Sequence, residues 1–130
     1  MGAWGSGPFD SDDAGDLVCE LIDANDWSVA EAAFDAVLGV GDDYLEAPES
    51  SAAIAAAAVL AHKVGNGGLA LHPDDAAGIA ALIVPPAPLL TKARDALARI
   101  KKQSELADLW EQANAKDEWL ATLEPIEKTL

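Results

Sequence analysis

The chain has 130 residues, of which 51% are apolar, 23 are Asp or Glu and eight are Lys or Arg, so that its net charge is −15. The apolar content excludes wholesale disorder, and the length fits one domain with a core of its own. The strong acidity argues against nucleic acid and anionic membranes as direct partners, because both would repel the chain.

The charge is divided unevenly along the chain. The first 63 residues hold thirteen acidic residues, and Lys63 is their only Lys or Arg. The other seven basic residues lie between Lys92 and Lys128. This asymmetry predicts a negative surface whose charge is balanced by the basic half, by solvent ions or by a cationic protein. The alternative is that the acidity reflects the proteome of the host and is unrelated to function.

The first ten residues are rich in glycine, which permits positive φ and close approach, and they include the aromatic residue Trp4. We predict an irregular but ordered segment that packs its aromatic side chains onto the domain. A first helix is predicted over residues 12–24, with Ser11 as its N-cap. Apolar residues at helical spacing form the inward stripe of this helix.

The other side of the first predicted helix is an acidic face made of Asp16, Glu20 and Asp23. Like charges three or four residues apart on a helix repel each other. We therefore expect this face to attract cations, either within the fold or from a partner.

Two further helices are predicted in the first half. Ser28 and Glu31 have the spacing of a capping box, which predicts a helix over Ser28–Leu38. The next helix is predicted over residues 48–64, and its segment 52–61 is apolar on every side. Because such a helix is normally buried all round, we expect it to be the central element of the fold.

Four helical segments are predicted in the second half, at residues 73–83, 89–103, 104–110 and from 117 onward. Ser104 is a suitable N-cap for the third of them, and Pro125 is predicted to distort or break the last. The basic helix over residues 92–102 is predicted to lie against part of the acidic half. No alternating strand pattern stands out, so the fold is predicted to be all-α, one compact domain of five to seven helices. The tryptophans are interpreted mainly as core residues, because an alanine-rich bundle needs large rings to fill space.

Three stretches of the sequence resemble one known family. They are residues 1–14 (MGAWGSGPFDSDDA), residues 43–48 (DYLEAP) with the alanine-rich helix after them, and residues 104–110 (SELADLW) with the later Trp119. On these stretches the chain resembles the bacterial domain of unknown function family 4259 over essentially its whole length. The resemblance implies a small bacterial cytoplasmic protein, and it supplies no activity, cofactor or catalytic residue.

The chain offers few groups for catalysis or metal binding. Cys19 is the only cysteine, so an internal disulfide is excluded, and its apolar surroundings predict a buried, reduced thiol in a cytoplasmic protein. His62 and His72 are the only histidines, and their spacing resembles no zinc pattern. We therefore predict no catalytic residue, no metal site and no cofactor.

One combination of residues is a candidate binding site. The N-terminal string and the segment 43–48 each lead from a loop into a helix, and each carries carboxylates and an aromatic residue. If the two segments adjoin, their side chains form one polar patch made of Trp4, Asp10, Asp12, Asp13, Tyr44 and Glu46. The alternative is that these residues only hold the N terminus against the domain.

The sequence favours one class of function without naming a partner. We expect a non-enzymatic interaction module that binds a basic protein, in the manner of immunity proteins or inhibitors that shield a basic enzyme site. The alternative is an enzyme or a small-ligand-binding protein that uses the patch around Tyr44 and Glu46. The oligomeric state and the identity of the partner are left open.

Overall fold

A computed structural model of the chain describes residues 12–41, 43–65 and 73–130, with the side chains of 12–14 and 73–76 left aside. Within these ranges the regular secondary structure is entirely helical. In chain order the helices are α1 (Asp12–Ala24), α2 (Ser28–Leu38), α3 (Ala47–Gly65), α4 (Pro73–Ala80), α5 (Ala87–Lys102), α6 (Glu105–Gln112) and α7 (Lys116–Thr129). The prediction of an all-α fold with five to seven helices is confirmed. None of the helices in these ranges has both the length and the apolarity needed to cross a membrane.

Helix α3 lies at the centre of the fold and contacts each of the other six helices. All of its residues from 53 to 61 are buried, so this segment has no side that faces solvent. Alanine suits such a position because it has the highest helix propensity and because its small side chain lets neighbouring backbones come close. The prediction of a buried, alanine-rich central helix is confirmed.

Large side chains fill the space between α3 and its neighbours. Phe34 of α2 and Leu97 of α5 are completely buried. Trp27 and Trp119 are 6% and 2% exposed, so the interpretation of tryptophan as a core residue is confirmed for these two. Trp110 is half-buried and packs against the same core.

The predicted N-cap of α6 is confirmed. The Ser104 hydroxyl accepts a hydrogen bond from the Ala107 N–H at 3.0 Å and donates one to the Ile100 carbonyl at 2.8 Å. Since Ser104 is 1% exposed, no water can replace either bond. The cap therefore joins the start of α6 to the last turns of α5.

The capping box predicted at Ser28 is not formed. The N-cap of α2 is Trp27, and Ser28 is already the first residue of the helix. The Asp26 carboxylate instead accepts hydrogen bonds from both the N–H and the hydroxyl of Ser28. The prediction was wrong because Asp26, in an Asx turn, accepts the Ser28 N–H that Glu31 would accept in a capping box, and the Glu31 N–H donates to the Trp27 carbonyl instead of the Ser28 hydroxyl.

The prediction of a buried Cys19 is also wrong, and of the two effects predicted for Pro125, distortion or a break, the break does not occur. Cys19 is exposed, because the inward side of α1 is occupied by residues such as its buried neighbour Val18. Helix α7 runs without a break through Pro125. The exposed proline lies between Leu123 and Ile126, both completely buried, and their packing holds the helix together where the proline removes one backbone hydrogen bond.

The basic helix α5 packs along the acidic helix α2. The Lys92 ammonium lies 2.9 Å from the Asp35 carboxylate and 3.8 Å from that of Glu31. At the other end of α5, the Arg99 guanidinium donates to the Asp43 carbonyl at 3.1 Å. The prediction that this helix lies against part of the acidic half is confirmed. Each exposed pair contributes little stability by itself.

Replacing the two serines tests the positions of the caps. Ser104→Ala is expected to lower the free energy of unfolding by about 1–2 kcal/mol, because α6 loses its cap. The matched control Ser28→Ala is expected to cost less than about 0.5 kcal/mol, as for other surface substitutions, since the Ser28 N–H keeps its bond to Asp26. Urea unfolding followed by circular dichroism measures both, and equal losses would contradict the assignment.

Gly78 of α4 lies against Ile22 of α1. A β-carbon at this position would lie 2.7 Å from Cγ2 of Ile22, which is inside the van der Waals contact distance. A Gly→Ala change inside a helix normally stabilises by about 1 kcal/mol. We expect Gly78→Ala to give no such stabilisation in the native chain, because the new methyl group would meet Ile22. The stabilisation should return when Ile22→Ala is also present. Urea unfolding of the four proteins measures the coupling, and additive effects would show that the close contact does not matter.

Candidate functional site

Two of the stretches that prompted the family resemblance meet in the structure. The Glu105 N–H donates to the Leu45 carbonyl at 2.8 Å. In return, the Glu105 carboxylate accepts from the Ala47 N–H, also at 2.8 Å. The start of α6 and the start of α3 are therefore held together by a reciprocal pair of hydrogen bonds. Ala47 and Glu105, which form one of these bonds, are 58 positions apart in the sequence.

This junction presents one tyrosine to solvent. Leu45 is 1% exposed and anchors the segment in the core, whereas the preceding Tyr44 is 61% exposed. Glu46 is exposed on the next position of the chain, and Asp108 is exposed in the first turn of α6. We refer to Tyr44, Glu46, Glu105 and Asp108 as the Tyr44 patch.

The electrostatics of the Tyr44 patch are negative. The pKa of Tyr44 is raised, first by the loss of hydration where the ring rests on the protein and then by the charges of Glu105, Asp108 and Glu46. A phenolate next to these carboxylates would be repelled by them. Tyr44 is therefore a neutral aromatic ring with negative charge around it, and this combination attracts a cation rather than an anion.

The backbone beneath the patch is held from a second side by α5. The Arg99 guanidinium donates to the carbonyls of Gly41 and Asp43, at 3.3 and 3.1 Å. Gly41 has a φ of 57°, a left-handed conformation that glycine adopts without strain. The segment that carries Tyr44 is thus fixed by α5 on one side and by α6 on the other.

The structure brings together only part of the patch predicted from the sequence. Tyr44 and Glu46 both belong to the Tyr44 patch. Trp4 and Asp10 lie outside the described residues, as does the predicted cap Ser11. Two other predicted residues, Asp12 and Asp13, are in the first turn of α1, and their side chains are not among those described. The predicted meeting of the N-terminal string with Tyr44 stays a prediction.

Sequence reasoning missed Glu105 and Asp108. A signal for them exists, because both lie in the first turn after the N-cap Ser104, where carboxylates are favoured by the helix dipole. That signal predicts only that both residues lie in the first turn of α6. Nothing in the sequence shows that α6 begins beside the start of α3.

The acidic face that the sequence predicts on α1 is present in the structure. Asp16, Glu20 and Asp23 are all exposed, and none of them forms an ion pair with a described residue. In contrast, Lys92 and Lys101 are paired with acids inside the fold. The ion pairs between the described residues therefore leave this face of α1 unneutralised.

The groups considered for metal binding do not form a metal-binding cluster in the described part of the chain. No three His, Cys, Asp or Glu side chains there are arranged to hold a metal ion. Nδ1 of His62 is buried and accepts or donates no hydrogen bond within the described residues. His72 lies outside them.

Comparison with protein families identifies the family of this chain. The family model described as domain of unknown function DUF4259 matches residues 2–122 of the 130, so the chain belongs to this family. The resemblance expected from the three sequence stretches is confirmed. No curated protein and no solved structure matches the chain.

Titration of Tyr44 tests the geometry of the patch. Because Tyr44 is the only tyrosine, the absorbance of tyrosinate reports it alone, and we expect a pKa above the ordinary value of 10.0. Glu105→Gln and Asp108→Asn should each lower that pKa, since the phenolate forms more easily when a neighbouring negative charge is removed. Because the pKa of Tyr44 is higher in the folded chain than in the unfolded chain, the free energy of unfolding falls as the pH rises from the unfolded-state pKa through the folded-state pKa.

The control for this titration is Asp16→Asn, which removes one charge from the acidic face of α1. It should leave the Tyr44 pKa unchanged if the effect is local. An equal decrease in all three variants would mean that Tyr44 senses only the net charge.

Proposed function

We propose that this member of the family is a non-enzymatic interaction module that binds a cationic protein partner through the Tyr44 patch. The observation that supports the proposal best is the exposed ring of Tyr44, fixed among carboxylates by backbone hydrogen bonds. Tyrosine is one of the residues that contribute most to protein interfaces, and charged rims add specificity.

The chemistry of the Tyr44 patch suits an arginine side chain. A guanidinium stacks on an aromatic face and forms bidentate hydrogen bonds with a carboxylate. Glu46 and Asp108 are exposed acids beside the ring, and neither pairs with a basic residue among those described. Because Leu45 and Glu105 already fix the backbone, binding orders little additional chain, which favours affinity.

The acidic face of α1 has a separate part in this proposal. Its exposed carboxylates belong to a chain with a net charge of −15, and such a field raises the rate at which a cationic partner arrives. The face thus speeds the encounter, while the Tyr44 patch provides the contact.

The proposal includes a cellular setting. We place the module in the bacterial cytoplasm, where it shields a basic surface as an immunity protein or an inhibitor does. Nucleic acid and anionic membranes are disfavoured as direct partners by charge. The alternative stays a prediction: a small-ligand-binding protein or an enzyme that uses the predicted patch of Trp4, Asp10, Asp12, Asp13, Tyr44 and Glu46.

Binding to an oligoarginine peptide tests the proposal with a defined probe. Isothermal titration at low ionic strength should show binding that weakens as salt is added. The double variant Glu46→Gln/Asp108→Asn should weaken binding by roughly threefold or more, since exposed ion pairs contribute about 0.2–1 kcal/mol each. Tyr44→Ala should weaken peptide binding more than this double variant does, because it removes the aromatic ring.

The matched control is Asp16→Asn/Glu20→Gln, which removes the same charge from the acidic face of α1. It should slow association while changing the affinity less than the patch variant does. Equal losses of affinity in the two double variants would argue for a diffuse charge effect, and no binding by the native chain would contradict the proposal itself.

A further inference from the structure

The Tyr44 patch is built from two segments that are distant in sequence. Tyr44 and Glu46 belong to the segment that leads into α3, whereas Glu105 and Asp108 lie in the first turn of α6. The shape of the patch therefore depends on how firmly these two segments are held against each other. The hydrogen bonds of Glu105 provide one connection between them, and a side chain of α5 provides another.

This second connection is made by Arg99, in the last turn of α5. Its guanidinium donates to the carbonyls of Gly41 and Asp43, at 3.3 and 3.1 Å, just before Tyr44. It also donates to the carbonyl of Gln103, the residue that directly precedes the N-cap of α6. Because a guanidinium carries several N–H donors in a rigid planar fork, one side chain bonds the backbone next to both segments of the patch.

The charge of Arg99 by itself opposes the binding of a cation at the patch. Like charges repel, so a positive group beside a site for cations lowers the affinity of that site unless it also has a favourable effect. Arg99 forms no ion pair with an acid of the described residues, and its donors go to backbone carbonyls. Its favourable effect is therefore geometric: it orders the backbone that carries the patch.

We propose that Arg99 is the positioning residue of the Tyr44 patch, which raises the affinity for a cationic partner by holding both segments of the patch in their binding geometry. This inference rests on the proposed function and adds the residue on which its affinity depends. Arg99 acts here through the backbone and not through contact with the partner. A backbone that is ordered in the free chain loses little conformational freedom on binding, and this advantage exceeds the repulsion between exposed charges, which water and salt screen.

Replacing Arg99 separates positioning from charge, because the two effects have opposite signs. Arg99→Met removes the positive charge together with the three hydrogen bonds. Loss of the charge alone would tighten binding of the oligoarginine peptide. We expect binding about fivefold weaker instead, since the peptide must then order backbone that Arg99 orders in the native chain. Isothermal titration at low ionic strength measures the affinity.

Arg99→Lys is the second variant, because it keeps the charge but lacks the planar fork of donors. We expect its affinity for the peptide to lie between those of the native chain and Arg99→Met. An affinity equal to that of the native chain would overturn the inference, since it would mean that the geometry of the guanidinium does not matter.

Titration of Tyr44 gives a readout that needs no partner. Loss of a nearby positive charge alone would raise the tyrosine pKa further, because the phenolate would lose a favourable neighbour. Loosening of the segment would lower the pKa toward 10.0, since Tyr44 would regain hydration and move away from Glu105. We expect the decrease in Arg99→Met. A role in folding alone would change neither this pKa nor the affinity of a chain that circular dichroism shows to be folded.

Arg94→Met is the matched control, because it removes the same charge from the same helix. The Arg94 guanidinium also bonds a backbone carbonyl, but that of Leu130, at 2.6 Å. This variant should keep the Tyr44 pKa and bind the peptide at least as tightly as the native chain. Unchanged or tighter binding by Arg99→Met, or an equal loss in Arg94→Met, would overturn the inference and leave the proposed function in place. If the native chain does not bind the peptide, the proposed function fails, and a rise of the Tyr44 pKa in Arg99→Met would then separately contradict the positioning.

Discussion

The all-round burial of α3 is the constraint on which the other helices depend. Residues 53–61 leave no side free for water, and each of the other helices in the described ranges contacts α3. Because alanine removes little apolar area per contact, the covering helices must bring the larger side chains, such as Phe34 and Leu97. The start of α3, beside which the Tyr44 patch lies, is positioned by this arrangement.

Glu105 connects the core to the surface chemistry. Its backbone and its side chain each form a hydrogen bond with the segment that leads into α3, so its negative charge is held where Tyr44 emerges. The same residue therefore shapes the backbone and the electrostatics of the patch. On the opposite side, Arg99 contributes its positive charge to backbone carbonyls. It consequently leaves the carboxylates of the patch available to an external cation.

Much of the fold follows from the sequence, because helix patterns are local. The buried alanine run, the Ser104 cap and the seven helical segments need only periodicity and end signals. Errors arose where two local rules compete or where packing overrides propensity: Asp26 displaced the capping box at Ser28, and buried neighbours carried α7 through Pro125. The site was only half predictable, since Tyr44 and Glu46 lie close together in sequence whereas Glu105 reaches them through tertiary structure.

The unneutralised face of α1 has a consequence for the free protein. Asp16, Glu20 and Asp23 repeat at helical spacing without a basic residue of the described chain to pair with them, so in dilute buffer they repel one another across the folded surface. Dissolved counter-ions shorten the range of that repulsion. Added salt should therefore stabilise the fold of the free chain while it weakens the complex that we propose with a cationic partner.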